Sequence, residues 1–496
     1  MLRPWQISLS QRIDSARAVP VYMQIIQAVI RDIESGRLTS GSYLPSSREL
    51  ASSLGVNRKT VVLAYEDLIA QGWLSSAGTR GTMVSAALPD PGRPAPAAEA
   101  RPAPGADGDP ALTLTAEYRF ARGPERPLAL PGGPGIKLDE GAPDGRLFPV
   151  ELLSRAYRAA AQRAARRNSL QYRDPRGSEA LRESVAAMLK SQRGLPVTAA
   201  NICITRGSQN SIFLAASLLI QPGDAVIVEE LTYEPAVAAF TSRGARIVPV
   251  GLDRDGICVD EVEAACRSHR VRAVFVTPHH QFPTTVALRP ERRLRLLDLA
   301  RQFGFAVIED DYDHEFHFAS QPLLPMAAYA PGRVIYAGSL SKLLLPALRI
   351  GYIAAPVEVI DSLAHIVSLV DGMGNTLTEN AAAELIESGE LSRHARKVRQ
   401  IYAERRSAFA AAIDQTLGDL VSYEMPPGGL AFWLRFASDE ALDRVEAGAA
   451  RAGLRFASSR SFMTRAEAPR GLRLGFASLD EKEARGALEA LRTALD

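Results

Sequence analysis

The stretch Arg333-Val-Ile-Tyr-Ala-Gly-Ser339-Leu-Ser341-Lys342-Leu-Leu-Leu-Pro346-Ala-Leu-Arg349-Ile-Gly351 puts a lysine between two apolar runs. Residues 333–338 read as a buried strand, so Lys342 is expected just past a strand end. Burial disfavours the charged ammonium, lowers its pKa and frees the lone pair that condensation with an aldehyde requires. Ser339 and Ser341 offer hydroxyls and Arg349 a forked cation, all suited to a phosphate. An aldehyde that carries a phosphate and is held by a lysine describes pyridoxal 5'-phosphate (PLP). The stretch alone reads equally well as a surface lysine beside capping serines, so its surroundings decide.

Outward from it, residues 128–496 alternate apolar strand candidates with helical segments. The strands are expected at residues 201–205, 225–229, 245–249, 273–277, 305–309, 334–337 and 350–354. Such alternation predicts a large, mostly parallel sheet covered on both faces, with its site beyond the carboxyl ends of the strands. Polar residues cluster at those ends. Thr205-Arg-Gly207-Ser208-Gln209 opens a helix whose amides suit a phosphate, or is a plain strand-to-helix connection. Tyr233 can stack on a planar ring or simply pack. His280 lies in Thr277-Pro-His-His280-Gln281-Phe282-Pro283, which is either a site segment or a turn, with Phe282-Pro283 a candidate cis peptide. Glu309-Asp310-Asp311-Tyr312-Asp313 ends an apolar strand in carboxylates, which repel one another unless a cation such as a protonated pyridine lies beside them. Arg473 sits inside the apolar run Leu472-Arg-Leu-Gly-Phe476 and needs an anionic partner, either a ligand carboxylate or an internal ion pair.

Composition narrows the classes. The chain has 496 residues, 46% hydrophobic and 23% charged, enough for two or three domains with ordinary cores. Its net charge of +2 is uneven: residues 1–86 hold nine Lys/Arg against six Asp/Glu, and residues 128–496 balance at 44 against 44. The basic surplus permits nucleic-acid binding. Cys203, Cys258 and Cys266 form no CxxC pair, so neither disulfide framework nor metal site is expected. No apolar run reaches membrane-spanning length and no signal peptide is visible, which points to a cytoplasmic protein without a membrane partner.

At the N-terminus, Tyr22, Ile25, Ile26, Val29, Ile30 and Ile33 recur at helical spacing, and Gly36 stops the helix. Ser46, Ser47 and Glu49 open a second helix. Asn57 is placed to cap a third that runs to Gly72. The glycines of Ala77-Gly78-Thr79-Arg80-Gly81-Thr82 suit a short hairpin. Helix, helix-turn-helix and hairpin make a winged helix-turn-helix over residues 1–86, with its core at 20–84. Arg58, Lys59 and Thr60 open the third helix, where base edges are met, and Arg48 lies near the positive end of the second, suited to a phosphate. Residues 87–127 are punctuated by prolines among Ala, Gly and acidic residues, and read as a linker that spans on the order of 35 Å if flexible.

Two resemblances sharpen these readings. Pro20-Val-Tyr22, Gly36-Arg-Leu38, Leu44-Pro-Ser-Ser-Arg48, Leu54-Gly-Val-Asn-Arg58 and Ala64-Tyr65 resemble the DNA-binding domain of GntR-family bacterial regulators. That resemblance assigns double-stranded operator DNA to Arg48, Arg58, Lys59 and Thr60, with Arg80 and Gly81 in the wing. Residues 130–496 resemble fold-type I PLP enzymes of the aspartate aminotransferase kind. In that likeness Lys342 is the Schiff-base lysine, Asp310 the pyridine partner, Tyr312 the ring-hydroxyl partner and Tyr233 the stacking aromatic. Gly207, Ser208, Gln209, Ser339, Ser341 and Arg349 form the phosphate cup, His280 joins the cofactor site, and Arg473 takes the effector or substrate carboxylate. Gln171-Tyr172-Arg-Asp174-Pro resembles the segment whose tyrosine reaches the other subunit's phosphate, so a homodimer is implied.

Two departures stand out. Thr285 replaces the usual glycine, and Asp-Asp-Tyr is one residue shorter than Asp-x-x-Tyr, which leaves Asp310 and Asp311 in competition. A GntR module joined to an aminotransferase-like domain is the plan of MocR-type (GabR-like) regulators. The resemblance implies a PLP-dependent transcriptional regulator that senses an amino compound, or PLP itself, through Lys342. A working aminotransferase with an accessory DNA-binding domain is the alternative.

Overall fold

Ser46 and Glu49 cap each other: the Glu49 amide donates to Ser46 Oγ at 3.2 Å and the Ser46 amide to Glu49 Oε2 at 2.9 Å. This reciprocal capping box starts helix α2 (Ser47–Leu54) where the serine pattern expects it. Gly55 closes the helix at φ +65, a left-handed conformation glycine adopts without steric penalty. Asn57 then caps α3 (Arg58–Ala70), and α1 (Val21–Glu34) precedes both. Strands β1 (Leu74–Ser76) and β2 (Thr82–Val84) pair antiparallel around the turn Gly78–Arg80. Ile25, Val29, Leu50, Val61, Leu68 and Val84 are essentially sealed from solvent in one small core. Burial of that shared apolar face, more than helix propensity, holds three short helices together. The expected winged helix-turn-helix is present.

The structure is a computed structural model that describes residues 19–88, 135–318 and 323–495, together with Ile13, Asp14, Ala16 and Arg119. Nearly all of the expected linker, residues 87–127, lies outside the described residues. The chain divides into two units, Met1–Gly123 and Pro124–Asp496.

In the larger unit, seven strands form one sheet: β3 (Ile202–Thr205), β4 (Ala225–Glu229), β5 (Arg246–Val250), β6 (Val271–Val276), β7 (Ala306–Asp311), β8 (Val334–Ser339) and β9 (Gly351–Ala354). Their spatial order is β3-β9-β8-β7-β6-β4-β5. All neighbours are parallel except around β9, which runs antiparallel to both β8 and β3. Successive residues point to opposite faces of a strand. Val274, Val307 and Tyr336 therefore join one apolar layer, and Phe275, Ile308 and Ile353 another on the far face. Both faces are covered, which is why the strands read as continuous apolar runs. A second, three-stranded antiparallel sheet holds β10 (Val421–Ser422), β11 (Ala431–Phe436) and β12 (Leu472–Gly475).

Thr285 explains its own oddity. It has φ +66, the conformation for which glycine is suited, and a β-branched residue there is strained. Its amide donates to the Gln281 carbonyl at 2.7 Å, so the turn after the cis Phe282-Pro283 peptide keeps a glycine-type shape around a threonine.

Candidate functional site

The carboxyl ends of β3, β4, β6, β7 and β8 converge, as a parallel sheet requires, and β12 brings Arg473 to the same place. Lys342 follows β8, and its Nζ donates to the Gly141 carbonyl at 2.5 Å. Burial pushes its pKa below the ordinary lysine value, against the opposing pull of Asp139 and Asp313. Arg473, 2% exposed, donates through Nε to the Glu140 carbonyl at 2.9 Å, through Nη1 to the Pro283 carbonyl at 2.8 Å and through Nη2 to the Tyr312 hydroxyl at 3.2 Å. Its guanidinium also lies over the Phe282 ring, 4.6 Å from the centroid. Consecutive carbonyls of one short segment thus cap both cations. That segment carries no motif and escapes sequence reasoning.

The two adjacent aspartates have different environments. Asp311 is enclosed: Arg193 Nη2 donates to it at 2.6 Å, Tyr336 donates at 2.6 Å, and His279 Nδ1 lies at 3.3 Å. Burial alone would push its carboxyl up, but Arg193, the histidines and Tyr336 outweigh that and hold it well below the usual range. Asp310 projects the other way, as the alternation of a strand demands. Its Oδ1 is buried without a hydrogen-bond partner. Burial raises its pKa to about 7, with a hydrogen bond from Ser208 opposing and Asp311 adding. An uncompensated carboxylate in such a site invites a cationic ring nitrogen.

Around them the remaining residues gather. Tyr312 donates to the His280 carbonyl at 2.8 Å, and His280 Nδ1 lies 2.7 Å from Asp313 Oδ1, a partner not singled out in the sequence. The Tyr233 and Phe282 rings meet edge to face, with centroids 5.2 Å apart. Gly207 precedes the helix Ser208–Leu219 and has the Arg349 guanidinium against it; a Cβ there would lie 3.3 Å from Arg349 Cζ. Ser339 Oγ accepts from the Ser341 amide at 3.1 Å, while Ser341 Oγ is buried and unpartnered. Gln209 sits in the first turn of the helix after Gly207. Tyr172 stands apart on the surface, 91% exposed. Among the described residues no cluster of potential metal ligands is present, and no helix is long and apolar enough to cross a membrane.

In the small unit, Arg48, Arg58, Lys59, Arg80 and Gly81 are exposed, and Thr60 is half-buried. Arg58 Nε makes a long contact to Ser47 Oγ at 3.4 Å. The four cations form no ion pair with another described residue, so their charge is available to a polyanion.

Comparison with known proteins accords with both units. Residues 21–84 match the family of bacterial regulatory proteins, gntR family, and residues 134–491 match aminotransferase class I and II. The chain is 31% identical, over 97% of its length and 95% of the relative's, to the probable rhizopine catabolism regulatory protein MocR of Rhizobium meliloti. The chain belongs to the MocR-type branch of the GntR family. A second MocR-type relative is the pyridoxine biosynthesis transcriptional regulator PdxR of Corynebacterium glutamicum, 30% identical over 95% of each chain. Among solved structures, kynurenine aminotransferase of Pyrococcus horikoshii matches with a TM-score of 0.67 at 27% identity, covering 73% of this MocR-type chain and 91% of the enzyme. The α-aminoadipate aminotransferase LysN of Thermus thermophilus, complexed with N-(5'-phosphopyridoxyl)-L-leucine, matches with a TM-score of 0.67 at 28% identity, over 73% and 92%.

Proposed function

We propose that this protein is a PLP-dependent transcriptional regulator in which an amino compound, recognised at Lys342 and Arg473, changes how the winged helix-turn-helix addresses operator DNA. The observation that carries the reading is the capping of both cations by neighbouring carbonyls, Gly141 on Lys342 and Glu140 on Arg473. A carboxylate that takes Arg473 and a group that engages Lys342 must together displace one segment. Ligand and cofactor contacts are thereby coupled to the chain that enters the large unit, and each ligand state can favour a different arrangement.

The side chains fit PLP. Asp310 Oδ1 and Ser341 Oγ are buried and lack partners, and Gly207 leaves room for the Arg349 guanidinium beside a helix N-terminus. Arg349, Ser339, Ser341, Gly207, Ser208 and Gln209 would hold the phosphate, Tyr233 the ring face, Tyr312 and His280 the ring hydroxyl side, and Asp310 the pyridine nitrogen. Bound PLP supplies an electrophilic aldehyde conjugated to an electron-withdrawing ring. The chain's own contribution is positional. Burial lowers the pKa of Lys342 Nζ and so eases loss of its proton, Asp310 can hold a proton at its carboxylate or share one with the ring nitrogen, and Arg473 orients a carboxylate by a forked hydrogen bond.

We further read residues 1–86 as the DNA module, 87–127 as linker and 128–496 as the sensing domain of a cytoplasmic homodimer, with Tyr172 contributed to a second copy. Its near-complete exposure supports that role. A working aminotransferase is the second reading, supported by a complete set of site residues and the likeness to solved aminotransferases. A panel of amines is titrated while operator affinity and keto-acid-dependent turnover are followed together. Amine-dependent operator affinity without turnover supports the regulator. Sustained turnover with operator affinity blind to every amine overturns it. Borohydride reduction should fix PLP on the peptide that contains Lys342, and Lys342→Ala should abolish that labelling.

A further inference from the structure

Behind the Pro283–Thr285 turn lies a cavity of about 550 Å³, between the irregular segment 284–288 that follows β6 and strand β11 of the smaller sheet, which carries Trp433 and Arg435. Leu231, Leu252, Val286, Met425 and Trp433 give it an apolar lining. This volume and character match those of small-molecule sites. Its charges are not self-compensated. On its wall, Asp253 is paired with Arg292 at 2.7 Å and Arg289 with Asp255 at 2.7 Å. Arg254 and Arg435 form no ion pair with any described residue, against Glu424 as an unpaired acid. Two open guanidiniums beside an apolar chamber suit a ligand with an apolar body and one anionic end.

The cavity is separate from the cofactor site yet adjoins it through one turn. The Pro283 carbonyl accepts from Arg473 at 2.8 Å, while the next two residues, Thr284 and Thr285, line the cavity. Thr285 is held at φ +66, so the wall of the chamber is a strained turn whose far side holds Arg473. We infer that this cavity is a second ligand site, which takes an amphipathic organic anion such as a carboxylate with an apolar tail, and which bears on Arg473 through the Pro283–Thr285 turn. The inference does not depend on the regulator reading, because the cavity and its charges exist whatever the cofactor site does.

The fluorescent dye anilinonaphthalene sulfonate, an apolar body with one anionic group, is the probe. Full-length protein loaded with PLP should bind it, with energy transfer from Trp433 that Trp433→Phe removes. Decanoate should displace it, and decanol should do so at least tenfold less well, because only the carboxylate meets the arginines. The double variant Arg254→Gln, Arg435→Gln should retain PLP and its melting temperature while binding the dye about tenfold more weakly. Displacement of the dye by PLP, equal competition by decanol, or unchanged dye affinity in a folded double variant would each overturn the proposal.

Discussion

Arg193 and Asp311 form an ion pair of 2.6 Å with both side chains sealed from solvent, and Tyr336 closes the same carboxylate at 2.6 Å. The pair ties the last turn of the helix Glu179–Arg193 to the end of β7, directly behind Asp310. Breaking one partner of a buried pair typically costs about 3–5 kcal/mol, because the other is left uncompensated. Asp311→Asn should therefore lower the melting temperature sharply. Asp310→Asn should leave it unchanged or raised, yet weaken PLP retention. Thermal unfolding and cofactor retention after dialysis check both, and the opposite pattern would exchange the two roles.

Arg473→Ala should fold. It leaves the Pro283 and Glu140 carbonyls without their donor, a loss of about 1–3 kcal/mol. PLP should stay bound, because none of the phosphate-cup residues is touched. The concentration of amino acid needed to alter operator affinity should rise about tenfold, the equivalent of one charge-assisted hydrogen bond. An unchanged dose response would place the effector's carboxylate elsewhere.

Glu229 makes stability depend on pH. It ends β4, fully buried, and accepts from Gln281 Nε2 at 3.0 Å. Burial raises its pKa from 4.5 to about 8, so between those values the folded state holds a proton that the unfolded chain releases. This contribution is fully present below about pH 4.5 and is lost as pH rises through about 8. One such group contributes a slope of up to about 1.4 kcal/mol per pH unit. Glu229→Gln lacks that slope. Denaturant unfolding of both proteins across this window should show the wild type losing stability relative to the variant as pH rises, and parallel profiles would contradict the assignment.

Arg58 and Arg48 should separate by the character of their defects. Arg58→Ala should cost about 1–3 kcal/mol at the operator and relax preference at one base pair. Arg48→Ala should weaken all DNA sequences alike and reduce the salt dependence by about one unit of slope. Binding measured on operator and random duplexes over a salt series distinguishes the two.

Thr285→Gly should stabilise the large unit. A non-glycine residue in the left-handed region costs on the order of 1 kcal/mol or more. The loss of a small, partly polar side chain that lines a cavity offsets little of that gain. Chemical denaturation provides the test, and a fall in stability would mean that the Thr285 side chain matters more than its backbone.

The sequence by itself determined the elements and which residues stand at the strand ends where the candidate site gathers. Caps at Ser46 and Asn57, the helical spacing in residues 20–36 and the continuous apolar runs of β4, β6 and β7 are local signals, written within a few residues of what they shape. The same holds for Lys342 after a strand and for an acidic cluster at a strand's end. Only the tertiary structure set the surroundings of Asp310 and Asp311 apart, because Arg193, which pairs with Asp311, lies 118 residues away in the chain. It alone brought the Glu140 and Gly141 carbonyls onto Arg473 and Lys342, across 333 and 201 residues. Backbone carbonyls carry no residue signature. Their position follows from how the sheets pack, and that packing balances many weak contacts summed over the whole core, beyond the reach of any local pattern.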